Sequence, residues 1–262
     1  MNILDKIVIN KKREVEHAKS LVSPAALQAS HLFSRDCYSF KQFLLDPLRA
    51  GIIAEFKRKS PSKGIINDKV SVQEVTTAYT DAGASALSVL TDADFFMGSK
   101  ADILQARQAN NIPVLRKDFM IDEYQVLEAK AWGADIILLI AAILTPAEIQ
   151  NLASLAKSLG LNVLLEVHNL EELERSINPN LDAIGVNNRN LADFTVSVET
   201  SYALAPHIPK EFLKISESAI SNPKTIKQLK TAGFNGFLIG ENFMRQEDPG
   251  MAMRDFVAGL NN

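Results

Sequence analysis

From Gly51 onward the chain alternates between two hydrophobic rhythms. Short apolar runs fall at Ile52–Lys57, Ala86–Leu90, Pro113–Lys117, Ile136–Ile140, Val163–Val167, Ala183–Asn187, Leu213–Ser216 and Phe237–Ile239. Runs this short, rich in Ile, Val and Leu, predict strands buried on both faces. Between them apolar residues recur at three- or four-residue spacing over Val72–Ala82, Lys100–Asn110, Glu123–Trp132, Pro146–Leu159, Leu170–Ile177, Glu199–Leu204 and Pro223–Thr231, with a last stretch from Met251 to Leu260. These predict helices. Gly83, Gly133, Gly160 and Gly233 stand where C-terminal caps fall, and Thr145-Pro146 and Asn222-Pro223 read as helix starts.

Strands recurring about every 20 to 34 residues have the period of βα units. Eight such units predict an α/β fold, a (β/α)8 TIM barrel. The alternative, a doubly wound open sheet, lacks the G-x-G-x-x-G turn expected after an early strand. Before Gly51 no strand is predicted. Ile3, Leu4, Ile7, Val8 and Val15 form an amphipathic stripe, Pro24 starts a short helix running to Leu32, and Phe40, Phe43, Leu44 and Leu45 suggest a third that Pro47 stops. Residues 1–49 are therefore read as a helical N-terminal extension on a barrel of residues 50–262, in one domain. The stripe of residues 3–15 caps the barrel or meets a second subunit.

Composition narrows the function classes. A net charge of -3 gives no basic surface for nucleic acid. The longest apolar run, Ile136 to Leu144, is nine residues, too short to span a bilayer. The N-terminus lacks the apolar core of a signal peptide. The single cysteine, Cys37, excludes an intrachain disulfide and is read as an inert core thiol. The four histidines show no metal-ligand spacing. The expectation is a cytoplasmic protein without metal.

In a barrel, functional residues come from the C-terminal ends of strands. Those positions hold Glu55 and Lys57 (first strand), Lys117 (third), Glu166 (fifth), Asn187 and Arg189 (sixth), Glu217 and Ser218 (seventh), and Gly240 and Glu241 (eighth). Glu55 and Lys57 are two apart, so they share one strand face. Taken singly, each residue is usually just solvated. Two lysines with two or three glutamates converging on one barrel end point instead to proton transfer. His168 is read as a loop residue past the strand end, and Asp118 as a brace. Phe56, Phe119 and Leu138 or Leu139 are expected to wall an aromatic ring. Ser218, Ala219, Gly240 and the turn after it suggest a phosphate site built from backbone N–H, with the Glu241 side chain turned away. Arg189 and the Lys57–Gly64 loop, which includes Ser60, add positive charge.

Ile53-Ala54-Glu55-Phe56-Lys57-Arg58-Lys59-Ser60-Pro61-Ser62-Lys63-Gly64 closely resembles the first-strand motif of the indole-3-glycerol phosphate synthase family. Val114-Leu115-Arg116-Lys117-Asp118-Phe119, Leu165-Glu166-Val167-His168, Ile184-Gly185-Val186-Asn187-Asn188-Arg189-Asn190-Leu191 and Leu238-Ile239-Gly240-Glu241 match in the same order. The resemblance implies ring closure of 1-(2-carboxyphenylamino)-1-deoxyribulose 5-phosphate to indole-3-glycerol phosphate, a phosphorylated small-molecule reaction with loss of carbon dioxide and water and no cofactor. The chain itself is expected to be a monomer.

The resemblance also implies roles. Lys117 is the general acid on the ribulose carbonyl oxygen, and Glu166 the base in the dehydration. Lys57 holds the substrate carboxylate and is a second proton donor. Glu55 and Asn187 orient these groups. Ser60, Arg189, Glu217 and Ser218 line the substrate or phosphate pocket, and Gly240 with its turn binds phosphate. One departure is visible. The family's usual Glu-Ser-Gly-Ile after strand seven is Glu217-Ser218-Ala219-Ile220 here, which strains the turn if Ala219 needs positive φ. Alternatives are another phosphosugar barrel enzyme such as phosphoribosylanthranilate isomerase, a metal-dependent epimerase, for which His and Asp ligands are too few, and a non-catalytic scaffold, which has no use for buried lysines and glutamates.

Overall fold

The structure, a computed structural model, describes residues 3–190 and 194–261. Leu191, at the end of the sixth-strand motif, lies outside the described residues. Eight parallel strands close into a barrel: Ile52–Phe56, Ala86–Leu90, Val114–Lys117, Ile136–Ile140, Asn162–Val167, Ala183–Asn187, Leu213–Glu217 and Gly236–Ile239. Each pairs with the next, and the first closes on the eighth through Ala54 opposite Ile239. All eight agree with the apolar runs to within a residue or so at each end.

Strand alternation divides the core into two layers. Ile53, Leu115, Leu138, Leu164, Ile215 and Leu238 point inward and fill the barrel. Ile52, Ala54, Val114, Ile137, Leu139, Leu165 and Phe237 point outward into the larger core beneath the helices. Phe56 belongs to that outer layer and is covered by the Arg58 guanidinium, 4.8 Å from its ring centroid. It therefore cannot wall a substrate ring, because its inward-facing neighbours are Glu55 and Lys57. Leu139 is excluded by the same parity, which leaves Leu138.

The extension packs against both ends of the barrel. The helix Phe40–Leu45 sends Phe40 and Leu44 into the inner cluster. Leu44 fits because Gly236 has no side chain: a Cβ there would meet Leu44 Cδ1 at 2.8 Å and Ile215 Cδ1 at 2.7 Å. The helix Ile3–Leu21 lies at the other end, so its apolar stripe caps the barrel mouth. Lys11 on this helix is buried between Asp92 (2.8 Å) and Asp118 (2.9 Å). Asp118 also meets Arg116 at 3.0 Å and accepts from the Thr91 hydroxyl at 2.6 Å. Burial would push the Asp118 carboxyl up, but Arg116 and Lys11 outweigh it and hold it low. Asp118 is thus the expected brace, and what it braces is the chain immediately after Lys117.

Two local expectations change. The second helix is Pro24–Gln28 and does not reach Leu32, since Ala29 caps it and Ser30 folds back to Leu27 in a tighter turn. The loop after the first strand is a small hairpin, Lys59–Ser60 against Gly64–Ile65. Arg58 anchors it with two bonds to Asp102, at 2.7 and 2.8 Å. Among the described residues no helix is long and apolar enough to cross a membrane.

Candidate active site

Strand parity brings the inward residues of the last strand turn into one ring. Lys117 Nζ stands 2.9 Å from Glu166 Oε2 and 3.6 Å from Glu217 Oε2. Lys57 Nζ meets Glu55 Oε1 at 2.7 Å, and Ser88 donates to Glu55 Oε2 at 3.3 Å. Asn187 Nδ2 donates to Glu166 Oε1 at 3.1 Å. Asn187 Oδ1 in turn accepts from the Ser218 hydroxyl (2.9 Å) and the Arg189 N–H (3.0 Å). One asparagine thus ties the fifth, sixth and seventh strand ends together.

Glu55, Glu166 and Glu217 are all buried. Their proximity moves proton affinities in opposite directions. Burial would push the Lys117 ammonium down, but Glu166, Glu217 and Glu55 outweigh it and raise its affinity. Burial would push Glu166 up, but Lys117 and His168 hold it low, as a carboxylate. Glu217 is pushed up by burial, with the nearby Glu166 and Glu55 charges adding to it against Lys117. The result is a charged acid and a charged base in contact, with a third carboxyl poised between protonation states.

Two glycines make this crowding possible. A Cβ on Gly240 would lie 2.5 Å from Glu55 Oε1, and one on Gly185 would run into Glu217 Oε1. Nothing in the sequence marks Gly185, which reads as an ordinary small strand residue. Gly185→Ala is expected to force Glu217 aside and destabilise the protein by about 1–3 kcal/mol, as overpacking does. Urea unfolding checks this, and wild-type stability in the variant would show that Glu217 has room to move.

The ring opens into a cleft with two halves that share Glu55, Lys57, Arg189, Ser218, Leu238 and Glu241. One half is walled by Ile3, Leu4 and Ile7 of the N-terminal helix, with Leu90, Phe96, Phe119, Leu138, Ile140 and Phe194, and Ser60 at its edge. Phe96 and Phe119 lie 6.0 Å apart, ring to ring. It is a slot for something flat and apolar. The other half is polar. It is formed by Ser218 to Ser221, Val196 to Val198 and the turn from Gly240 through Arg245. The helical turn Glu241–Met244 follows Gly240 as expected. Its first N–H groups have no carbonyl to accept them within the turn. The Glu241 side chain does not clear the cleft: Oε2 sits 3.5 Å from Arg189 Nη2, because that guanidinium is the nearby cation. Ser218 and Ala219 both have positive φ, 66° and 59°.

Glu55, Lys57, Lys117, Glu166, Asn187, Ser60, Phe119, Arg189, Glu217, Ser218, Ala219, Gly240 and Glu241 all lie on this cleft, whereas Phe56 and Leu139 do not. The sequence reading missed Ile3, Leu4, Ile7, Leu90, Phe96 and Phe194, and it read His168 only as a loop residue, which by position it is, since the strand ends at Val167. The His168 side chain is 9% exposed, with Nε2 3.3 Å from Glu166 Oε1 and Nδ1 3.1 Å from Glu172 Oε2. Parity was the available signal, since residue 168 follows Glu166 by two and the inward alternation runs on past the strand end. The apolar wall had no such signal, because it comes from the N-terminal helix and from loops. Among the described residues no group of three or more His, Cys, Asp or Glu could hold a metal ion.

The family model described as indole-3-glycerol phosphate synthase matches residues 4–256. A Bacteroides thetaiotaomicron protein named indole-3-glycerol phosphate synthase is 48% identical over 259 residues, covering 99% of this chain and 99% of its own length. Proteins of the same name from Laribacter hongkongensis and Bordetella pertussis are 44% and 41% identical, each over 98% of this chain and 99% of their own. Among solved structures, one described as native KDPGal superposes with a TM-score of 0.57 at 16% identity, over 80% of this chain and 92% of that one. A lactate oxidase described as putative, from Pediococcus acidilactici, gives 0.63 at 13% over 79% and 68%. These two share the fold.

Proposed function

The chain belongs to the indole-3-glycerol phosphate synthase family, and from that premise we propose how its residues divide the reaction. The enzyme is a lyase of tryptophan biosynthesis. It closes 1-(2-carboxyphenylamino)-1-deoxyribulose 5-phosphate to indole-3-glycerol phosphate, releasing carbon dioxide and water. The observation that carries the assignment is the Lys117–Glu166 contact at 2.9 Å beneath a cleft with one apolar and one polar half.

The carboxyphenyl ring occupies the apolar half, against Phe119 and Leu138. Lys57, paired with Glu55, receives the ring carboxylate. The phosphate lies in the polar half, on Arg189, Ser218, the backbone of Ala219 and the turn after Gly240. This places the ribulose carbonyl over Lys117. The ammonium donates its proton to the carbonyl oxygen as the ring carbon attacks, and the cation formed on the ring is stabilised by the surrounding carboxylates. Loss of carbon dioxide restores aromaticity. Glu166 then removes a proton from the adjacent carbon while the hydroxyl takes a proton from Lys117, once that group has been recharged, and departs as water. Asn187 holds Glu166 in position, and Ser60 and Glu217 complete the walls. The same reading has the chain act as a cytoplasmic monomer, one domain with its extension, on a phosphorylated small molecule without cofactor. Indole fluorescence developing from that substrate in the presence of EDTA tests it, and the absence of product from folded enzyme overturns it.

Ala219 bears on the phosphate. An L-residue in the left-handed region costs roughly 1–2 kcal/mol relative to the right-handed one, and glycine avoids that penalty. Ala219→Gly is therefore expected to lower KM by letting the turn close on phosphate without strain. Steady-state kinetics check this, and an unchanged or raised KM removes the explanation.

A further inference from the structure

The overall reaction does not balance within the residues assigned so far. The substrate's carboxylate leaves as neutral carbon dioxide, and its hydroxyl leaves as water. Two protons go out, one to the carbonyl oxygen and one to the departing hydroxyl, and one returns on Glu166. Each turnover therefore consumes one proton, which has to reach a buried site from solvent. Lys117, once it has donated, touches Glu166 and Glu217. Behind Glu166, on the side away from Lys117, lies His168.

We propose that His168 is the proton reserve of this site, a positioning residue that recharges Lys117 through Glu166. This rests on the assignment of Lys117 and Glu166 given above. His168 Nε2 faces Glu166 Oε1 at 3.3 Å, tilted off a straight hydrogen bond, so a small rotation separates ion pair from transfer. Its Nδ1 is held by Glu172 Oε2 at 3.1 Å, and the same oxygen accepts the His168 backbone N–H at 2.8 Å. Glu172 sits on the helix Leu170–Ser176 and is itself fixed by Asn169 Nδ2 at 3.0 Å. The ring is thus clamped with one nitrogen toward the site and the other toward the outer carboxylate.

In the step itself, the Nε2–H bond of the imidazolium breaks and an O–H bond forms on Glu166 Oε1. Rotation of the carboxyl, a soft two-fold torsion, presents that proton to Lys117, whose N–H bond re-forms as the O–H bond breaks. The ring is left neutral with Nδ1–H still on Glu172, and it takes its replacement from solvent after product leaves. No electrons change hands.

The charged groups around the ring are Glu166 on its own strand, Glu172 and Arg175 on the following helix, Lys117 behind Glu166, and Glu217 on the seventh strand. Burial lowers the ring's proton affinity, but Glu166 and Glu172 outweigh it and push it up to about 9. The reserve is therefore full at neutral pH and empties as pH rises through about 9.

The test is kcat against pH for wild type, His168→Gln, Glu172→Gln and Lys117→Met, with His168→Gly assayed in imidazole or pyrazole. His168→Gln is expected to lose about 10–100-fold in kcat with KM little changed, and to lose the alkaline limb. Glu172→Gln moves that limb to lower pH, because one carboxylate no longer favours the imidazolium. Imidazole restores part of the His168→Gly rate, and pyrazole, of the same shape but far less basic, does not. Wild-type kcat and pH profile in His168→Gln, or equal rescue by both azoles, overturns this inference and leaves the assignment of Lys117 standing. Near-normal activity in Lys117→Met overturns both.

Discussion

Replacing Lys117 with methionine is expected to lower kcat by about 10²–10⁴-fold, the range that a positioned general acid contributes. Methionine keeps most of the side-chain volume but carries no proton. The ammonium is in contact with Glu166 and near Glu217, so its removal has a second consequence. Glu166 and Glu217 then face each other without the ammonium between them, and Glu217, which burial already pushes up, is the one that takes up a proton. Product formation followed by indole fluorescence, alongside circular dichroism to confirm folding, measures the loss. A fall of less than about tenfold would move the acid to Lys57, 2.7 Å from Glu55 on the first strand.

Glu166→Gln is the second large effect, and its signature is a split between steps. The amide keeps an oxygen for Lys117 or Asn187, so the geometry survives, but it cannot accept a proton at neutral pH. Carbon dioxide release in a single turnover is expected near the wild-type rate, while indole formation falls by about 10²–10³-fold. If the two fall together, Glu166 acts in ring closure, by stabilising the ring cation, and not as the base of the dehydration.

The strand ends were readable because alternation is a local rule. Once Ile52–Phe56 is a strand in a closed barrel, Glu55 and Lys57 must face inward and Phe56 outward. The same rule excludes Leu139 and includes Leu138, and carried two residues further it gives His168 the parity of Glu166. A residue past the strand end has no fixed direction, so His168 was read as a loop residue, and only the structure sets it beside Glu166. Reading Phe56 as part of the wall was an error, since aromatic character was weighed above parity.

Sequence alone determined the eight-fold βα period, the helix caps, the inward polar residues of each strand and, through five ordered motifs, the family. These follow from spacing along the chain, which local sterics convert directly into direction. Tertiary structure decided what depends on residues far apart meeting. It set Ile3, Leu4 and Ile7 over the mouth, Lys11 against the brace behind Lys117, and Leu44 in the space left by Gly236. It also decided that Gly185 and Gly240 must be glycines, because the groups that crowd them, Glu217 and Glu55, arrive from other strands. The physical reason is that the exclusion of one atom by another acts only at contact, and closing the barrel is what makes those contacts.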